Sequence, residues 1–411
     1  MRILLICPFF PPENKIAAVR ISKLASYWAS AGHEVRVLTR DGADEGLAVP
    51  AHDGLTIHRV ADPMMKTISG VQTLKPTKPR PWHRAAAIAY AVAMRFVWPD
   101  IYGRWARAAG RHAGAWDWRP DVVVTSVGPF SALMLGSKLA KQFGAKLTVD
   151  YRDLLSNSSY YPYGALRRRL DSAVERRHVS DAALLTTVSG PLAEELEAAY
   201  GVRTLVVTNG YDPQDFAHLA YQPSSSELRI AYCGWVIPKR RDPVPFLSGV
   251  AELLRQHPDA QISVDFYGPH SAEVAAAIES LGLDGNVRQH GKVSHAESLK
   301  IQADSDALLL LLWNDPGEKG VLSGKVFEYI GAARPIIMTG LEKSAAGDLI
   351  RDNGLGVVSN DPGTIADALH AMSAQKARTG RVEAPAVANA EQFTRDAQSR
   401  VFLEGLEHIV G

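Results

Sequence analysis

Short apolar runs alternate with longer amphipathic segments along the whole chain, the pattern of parallel strands connected by helices. In the first half the runs fall at residues 3–7, 34–38, 121–125, 146–150, 183–188 and 205–207. They are continuous rather than alternating, as in strands covered on both faces. Helical periodicity lies between them at 19–31, 129–143 and 190–200. The second half repeats the scheme. Strands are expected at 228–233, 261–267, 287–290, 307–312, 335–338 and 356–358, and helices at 243–256, 272–281, 296–303, 325–333 and 364–373. Turn residues cluster at 209–227, where Asn209-Gly210, Asp212-Pro213 and Gln222-Pro223 stand close together. The pattern predicts two α/β domains, 1–208 and 228–392, with 209–227 as linker. A last helical stretch, 393–411, either closes the second domain or crosses back to the first.

Length agrees with this division, because a chain of 411 residues exceeds one hydrophobic core and two domains of about 200 residues each are expected. Hydrophobic residues make up 46% and charged residues 22%, an ordinary soluble composition, and the net charge of +1 excludes a polycation seeking nucleic acid. The two cysteines, Cys7 and Cys233, each end an apolar run and read as buried thiols, which fits a reducing cytoplasm. The N-terminal apolar run is too short for a signal peptide, and no stretch is long enough to span a bilayer. A cytoplasmic protein is expected.

In open parallel sheets, ligands bind beyond the carboxyl ends of the strands. The first such loop, Pro8-Phe9-Phe10-Pro11-Pro12-Glu13-Asn14-Lys15, has no Gly-x-Gly-x-x-Gly, so a dinucleotide cofactor is not expected there. Residues 314–338 are more informative: a strand, an acidic and glycine-containing loop, Ser323-Gly324-Lys325, a helix carrying Glu328, then Ala333-Arg334-Pro335 and a new strand. A helix start with Lys325 suits a diphosphate. Glu328, one turn further on the same face, suits the hydroxyls of a ribose. Asp304-Ser305-Asp306 has the form of a metal-binding Asp-x-Asp, but it directly precedes an apolar strand and reads as a cap or turn.

The opening Cys-Pro-Phe-Phe-Pro-Pro-Glu, residues 31–39, Val149-Asp150-Tyr151-Arg152-Asp153, Thr187-Val188-Ser189, Thr208-Asn209-Gly210-Tyr211-Asp212 and Gly324-Lys325-Val326-Phe327-Glu328-Tyr329 follow one another in a specific order. Taken together they resemble the retaining glycosyltransferases of family 4. The resemblance implies the GT-B fold, two Rossmann-like doubly wound α/β domains facing a central cleft, with the acceptor on the first domain and a nucleotide-sugar on the second. Glu328 matches the second glutamate of the family's Glu-x7-Glu motif, which binds the donor ribose. The first glutamate would fall at Gly320, a departure from the pattern. Either Glu318 substitutes for it, or the loop through Leu322, Ser323 and Gly324 contacts the sugar. The second donor element follows residue 233: Gly234, then Trp235 where the family has Arg, then Lys239, Arg240 and Arg241. Of these basic residues Arg241 is the first choice for the leaving diphosphate. The base is expected near Gly268 and Val293.

The resemblance further implies a retaining reaction without a protein nucleophile, metal or cofactor. Asp153, Glu318 and Arg241 are the candidate catalytic residues. Acceptor candidates are Arg152 and Asp153, which otherwise form an internal pair, and Glu13 and Arg20. Between 63 and 119 the chain becomes basic and aromatic, with Lys66, Lys75, Arg80, Arg104, Arg107, Arg111 and five of the eight tryptophans. That stretch reads either as a helical insertion with its tryptophans packed inward or as a contact with an anionic membrane, which a lipid-linked acceptor would explain. Two rival readings are a nucleotide-sugar epimerase on the same fold and a catalytically silent donor-binding subunit.

Overall fold

The structure is a computed structural model; it describes residues 1–13, 16–41, 49, 52–62, 97–158, 161–223 and 226–411. Lys66, Lys75, Arg80, Trp82 and the rest of 63–96 lie outside the described residues. The chain divides into two compact units, one of Met1–Val207 with Gln398–Gly411 and one of Thr208–Ala397.

The first unit is a parallel sheet of seven strands: β1 (Arg2–Ile6), β2 (Glu34–Arg40), β3 (Leu55–Val60), β4 (Val122–Val127), β5 (Lys146–Tyr151), β6 (Leu184–Thr187) and β7 (Thr204–Val206). Their spatial order is β3-β2-β1-β4-β5-β6-β7. The continuous apolar runs have a simple cause. Ile3, Leu5, Val122 and Val124 point into one face with Trp28 and Phe402, while Leu4, Ile6, Val123 and Val149 point into the other with Trp105. Strand β3 was not expected from the pattern. As an edge strand it is only half-buried, and its Thr56, His58 and Arg59 dilute the apolar signal.

Helix Gly103–Gly114 lies in the stretch that reads in one alternative as a helical insertion, whereas helices Ala165–Val179 and Ala345–Asp352 were not expected from the pattern. The first buries Trp105, Ala109 and Ala113 along one stripe, mostly small residues. Trp105 is fully buried and Trp98 is 47% exposed, so the tryptophans of this region do not share one environment. The C-terminal helix Arg395–Val410 places Phe402, Leu403 and Leu406 in the first unit's core, where Trp28 meets Phe402 edge-on at 5.2 Å and its Nε1 donates to the Ser399 carbonyl.

The second unit is a parallel sheet of six strands: β8 (Leu228–Cys233), β9 (Ile262–Tyr267), β10 (Val287–His290), β11 (Ala307–Leu311), β12 (Ile336–Thr339) and β13 (Gly356–Val358). The order is β10-β9-β8-β11-β12-β13. Residues 209–227 dock onto this unit. Tyr211 bridges to Thr394, and a Cβ added to Gly331 would lie 2.5 Å from Phe216. Among the described residues, no helix is long and apolar enough to cross a membrane.

Candidate functional site

The second unit gathers its chemistry where β8 and β9 end. After Cys233 the chain turns at Gly234, whose φ is 151° and whose N–H donates to the Tyr267 carbonyl at 2.7 Å. Gly268 has φ 156°, and a Cβ there would stand 2.1 Å from the Gly234 carbonyl oxygen. The two strand ends therefore touch backbone to backbone, which glycine alone permits. The following loop folds back on itself. The Tyr232 hydroxyl donates to the Trp235 carbonyl at 3.0 Å, and Arg241 Nη1 donates to the same oxygen at 2.9 Å. Arg241 is thus held at the strand mouth. Lys239 is exposed, with φ 61° and its N–H on Glu273 Oε1 at 3.0 Å, while Arg240 lies 4.6 Å from the centre of the Trp313 ring. Trp235 is 56% exposed.

The helix Gly324–Gly331 starts at Ser323, whose hydroxyl accepts from the Lys325 N–H at 3.4 Å. Val326, Phe327, Tyr329 and Ile330 are buried and anchor the helix, and the Tyr329 hydroxyl donates to the Leu309 carbonyl at 3.0 Å. Lys325 and Glu328 occupy the remaining face. The Lys325 ammonium lies over the turn at Gly234, where an added Cβ would be 2.6 Å from Nζ. Burial and the nearby Arg241 charge push Lys325 down to about 8, against the favourable charge of Glu328. Two cations converge here on a glycine turn. Such crowding is costly by itself and favours an anion between them.

Glu328 is fixed from both sides. His295 Nε2 is 3.2 Å from Oε1, and the Gln302 amide donates to Oε2 at 3.1 Å. Gln302 is buried, and its amide also donates to the Ser298 hydroxyl at 3.0 Å. Burial opposes ionisation of Glu328, but these hydrogen bonds and the charges of His295 and Lys325 outweigh it and hold the carboxyl below its usual range. The same hydrogen bond raises His295 above the ordinary imidazole value. Neither His295 nor Gln302 was expected from the sequence, because no local spacing signals a contact with a helix some thirty residues away.

Other expected donor residues are spread around this centre. Glu318 ends the one-turn helix Pro316–Glu318, is 6% exposed and sits beside the buried Gly320. The loop is fastened where the Ala345 N–H donates to the Lys319 carbonyl at 2.8 Å. Leu322 is buried, Ser323 and Gly324 are half-buried at the helix start, and Val293 is half-buried just before Ser294, the cap of the His295–Asp304 helix. Asp304 pairs with Arg229 at 3.0 Å. Asp306, buried, accepts from Lys376 at 2.6 Å and from the Arg229 N–H at 2.7 Å. Asp304-Ser305-Asp306 is thus tied into its own unit. Among the described residues, no group of three or more His, Cys, Asp or Glu is gathered for a metal.

In the first unit, Arg152 follows β5 and lines a small pocket with Cys7, Pro8, Ser126 and Pro129. Its Nη2 stands 2.7 Å from where a Cβ on Gly128 would be. Asp153, the next residue, is exposed. Glu13 pairs with Arg40, both side chains being nearly buried. Arg20 departs furthest from an acceptor role. It is 5% exposed, and its Nη2 donates to Asp150 Oδ1 at 3.3 Å and to the Val207 carbonyl at 2.9 Å. Asp150 is wholly buried and also accepts from Ser126 at 3.1 Å and Thr186 at 2.9 Å.

Two family profiles match the chain, the glycosyl transferase 4-like domain over residues 17–210 and the glycosyl transferases group 1 domain over residues 227–375. No curated protein matches it in sequence. Among solved structures it is similar to HepE of Anabaena in complex with UDP, at 14% identity and TM-score 0.63 over 99% of this chain and 100% of that one. It is also similar to the lipopolysaccharide outer core galactosyltransferase WaaB, at 13% identity and TM-score 0.59 over 99% of both chains. A third similar structure is the UDP-GlcNAc 2-epimerase of Methanocaldococcus jannaschii, at 10% identity and TM-score 0.52 over 99% of this chain and 100% of that one. These likenesses establish the fold, and the two profiles establish the class. The chain is a glycosyltransferase of the GT-B fold, built from a glycosyl transferase 4-like domain and a glycosyl transferases group 1 domain.

Proposed function

We propose that the second unit binds a nucleoside-diphosphate sugar and that the enzyme transfers its sugar, with retention and without a metal, to a saccharide or lipid-linked acceptor of a surface glycoconjugate. The observation that carries the reading is the convergence of Lys325 and Arg241 on the Gly234 turn, one helical turn from the oriented carboxylate of Glu328. Lys325 and Arg241 take the diphosphate, and Glu328 takes the ribose hydroxyls. In the transfer, the bond from the sugar's anomeric carbon to the diphosphate oxygen breaks. The acceptor oxygen bonds to that carbon on the same face, and its proton passes to the departing diphosphate. Charge develops on the leaving group, where the two cations stabilise it. Arg152, at the end of β5, is the first-unit cation suited to an anionic acceptor, and exposed Asp153 is the carboxylate beside it.

UDP is the first nucleotide to test, because HepE was solved with UDP and with UDP-glucose. A melting-temperature screen of UDP, GDP and ADP is expected to give a clear rise with one of them. No rise with any would overturn the reading. An epimerase on this fold would change the sugar with no acceptor present, which proton NMR of the donor would reveal. Donor binding with neither hydrolysis nor transfer across an acceptor panel would mark a silent subunit, the alternative that Gly320 motivates.

The binding should depend on pH with two limbs. Lys325 loses its proton near pH 8, so diphosphate affinity falls above that pH, by up to about tenfold per unit. At acid pH the His295 imidazolium holds Glu328 and competes with ribose, so affinity falls there too. Calorimetric titration from pH 5.5 to 9 is expected to give a bell. Lys325→Arg flattens its alkaline side. A flat profile in the parent protein would remove both assignments.

A further inference from the structure

Two side chains outside the donor set fasten the loop that runs from Gly234 to Arg241. The first is Tyr232, whose ring is 1% exposed and packs in the core of the second unit beside Phe266 at 5.6 Å. A phenylalanine would fill the same space, so the hydroxyl is what needs a reason. Its partners among the described residues belong to the loop. It donates to the Trp235 carbonyl at 3.0 Å, and Arg241 Nη1 donates to that same oxygen at 2.9 Å. The triangle closes where Arg241 Nη1 lies 3.4 Å from the hydroxyl oxygen. The second cation is close by. The position of a Cβ on Gly234 would be 3.7 Å from the Tyr232 oxygen and 2.6 Å from Lys325 Nζ, and that ammonium stands 5.8 Å from the Tyr232 ring centre.

The far end of the loop is fixed separately. Lys239 has φ 61°, a left-handed conformation that a residue with a Cβ keeps only when its surroundings impose it. Glu273, in the first turn of the helix Ala272–Leu281, supplies the constraint, because its Oε1 accepts the Lys239 N–H at 3.0 Å. In the turn so formed, the Arg240 and Arg241 N–H groups both donate to the Ile237 carbonyl, at 3.1 and 2.9 Å. Arg241 is therefore fixed at its backbone and at its guanidinium.

We propose that Tyr232 and Glu273 are positioning residues for the leaving diphosphate, setting the loop from Gly234 to Arg241 in its binding shape before the nucleotide arrives. Tyr232 acts through the Arg241 guanidinium and Glu273 through the backbone at Lys239. The proposal rests on the donor reading. Tyr232 is too buried to meet a ligand, and Glu273 carries the same sign of charge as a phosphate, so both work through the loop. What they supply is pre-organisation. A guanidinium free to swing would have to be ordered on binding, and affinity would fall by that cost.

The test is calorimetric titration of the full chain with whichever of UDP, GDP and ADP raises its melting temperature. Tyr232→Phe keeps the core filled and is expected to bind that nucleotide about tenfold more weakly, with only a small change in the unliganded melt. In an Arg241→Ala background the same change should alter affinity by less than about twofold, because its effect passes through that guanidinium. The alkaline limb of binding should also move to higher pH in Tyr232→Phe. Burial and the Arg241 charge hold Lys325 down against Glu328 and Cys233, and a released guanidinium withdraws part of that charge. Glu273→Gln and Glu273→Ala both lose the carboxylate charge, so their difference reads the hydrogen bond to Lys239. The alanine variant should bind about threefold or more weakly than the glutamine variant, a comparison that holds even if Tyr232→Phe does not fold. Parent-like binding by Tyr232→Phe, an equal loss with and without Arg241, or an alkaline limb that stays in place would overturn the role of Tyr232 and leave the donor reading intact. Equal affinities for the two Glu273 variants would overturn the role of Glu273. A parent that binds none of the three nucleotides would overturn the donor reading and this proposal with it.

Discussion

Glu328→Ala is expected to weaken nucleoside-diphosphate binding by about two orders of magnitude or more, with the fold intact. The argument starts from the carboxylate. Bonds from two ribose hydroxyls to one ionised acceptor are charge-assisted, each contributing about 1.5–3 kcal/mol. Their joint loss gives the expected factor. Burial would by itself disfavour the charge, yet Gln302 and His295 keep the group ionised and set its angle. Glu328→Gln keeps the shape but loses the charge, and should fall between the parent and alanine. Removing Gln302, as Gln302→Leu, leaves the carboxylate present but free to turn. A smaller loss is expected, about tenfold, in affinity rather than in stability. Isothermal titration with the nucleotide found in the melting screen measures all three. If Glu328→Ala bound the nucleotide as the parent does, the ribose assignment would be wrong.

The second large effect concerns stability. Asp150→Ala is expected to destabilise the first unit by about 3–5 kcal/mol, because it strands a buried guanidinium. Arg20 would keep the Val207 carbonyl but lose its carboxylate partner, and Ser126 and Thr186 would lose their acceptor. Replacing both charges, as Asp150→Leu with Arg20→Leu, should recover much of the loss, since an apolar pair of similar volume avoids the stranded charge. Denaturant unfolding followed by tryptophan fluorescence reads this directly. The same experiment decides the role of Arg20. If Arg20 served an acceptor, Arg20→Leu would change transfer kinetics and leave the unfolding midpoint nearly unmoved. The buried geometry predicts the reverse.

The difference between Arg20 and Lys325 shows where the sequence stops being informative. Both are single cations on a helix near the end of a strand. Lys325 sits in a local unit of strand, loop, capping serine and helix, whose chemistry is written within about twenty residues. Its pairing in register with Glu328 follows from helical spacing alone. The partners of Arg20 are Asp150 and Val207, far along the chain, and only the sheet brings them together. His295 and Gln302 were missed for the same reason, since they reach Glu328 from another helix.

Much of the architecture was legible because both sheets are covered on both faces, so their strands read as continuous apolar runs. Edge strand β3 and the helix Ala165–Val179 were not, because edge exposure and arginines erase that signal. By itself the sequence determined two α/β units and the helix that carries Lys325 and Glu328, features set by local periodicity or spacing, while the departure at Gly320 is one that the family resemblance implies. Only the tertiary structure decided that Arg241 and Lys325 share one turn, that Glu328 is held by His295 and Gln302, and that Arg20 belongs to the core. Those are contacts between segments distant in sequence, and packing, not local preference, chooses them.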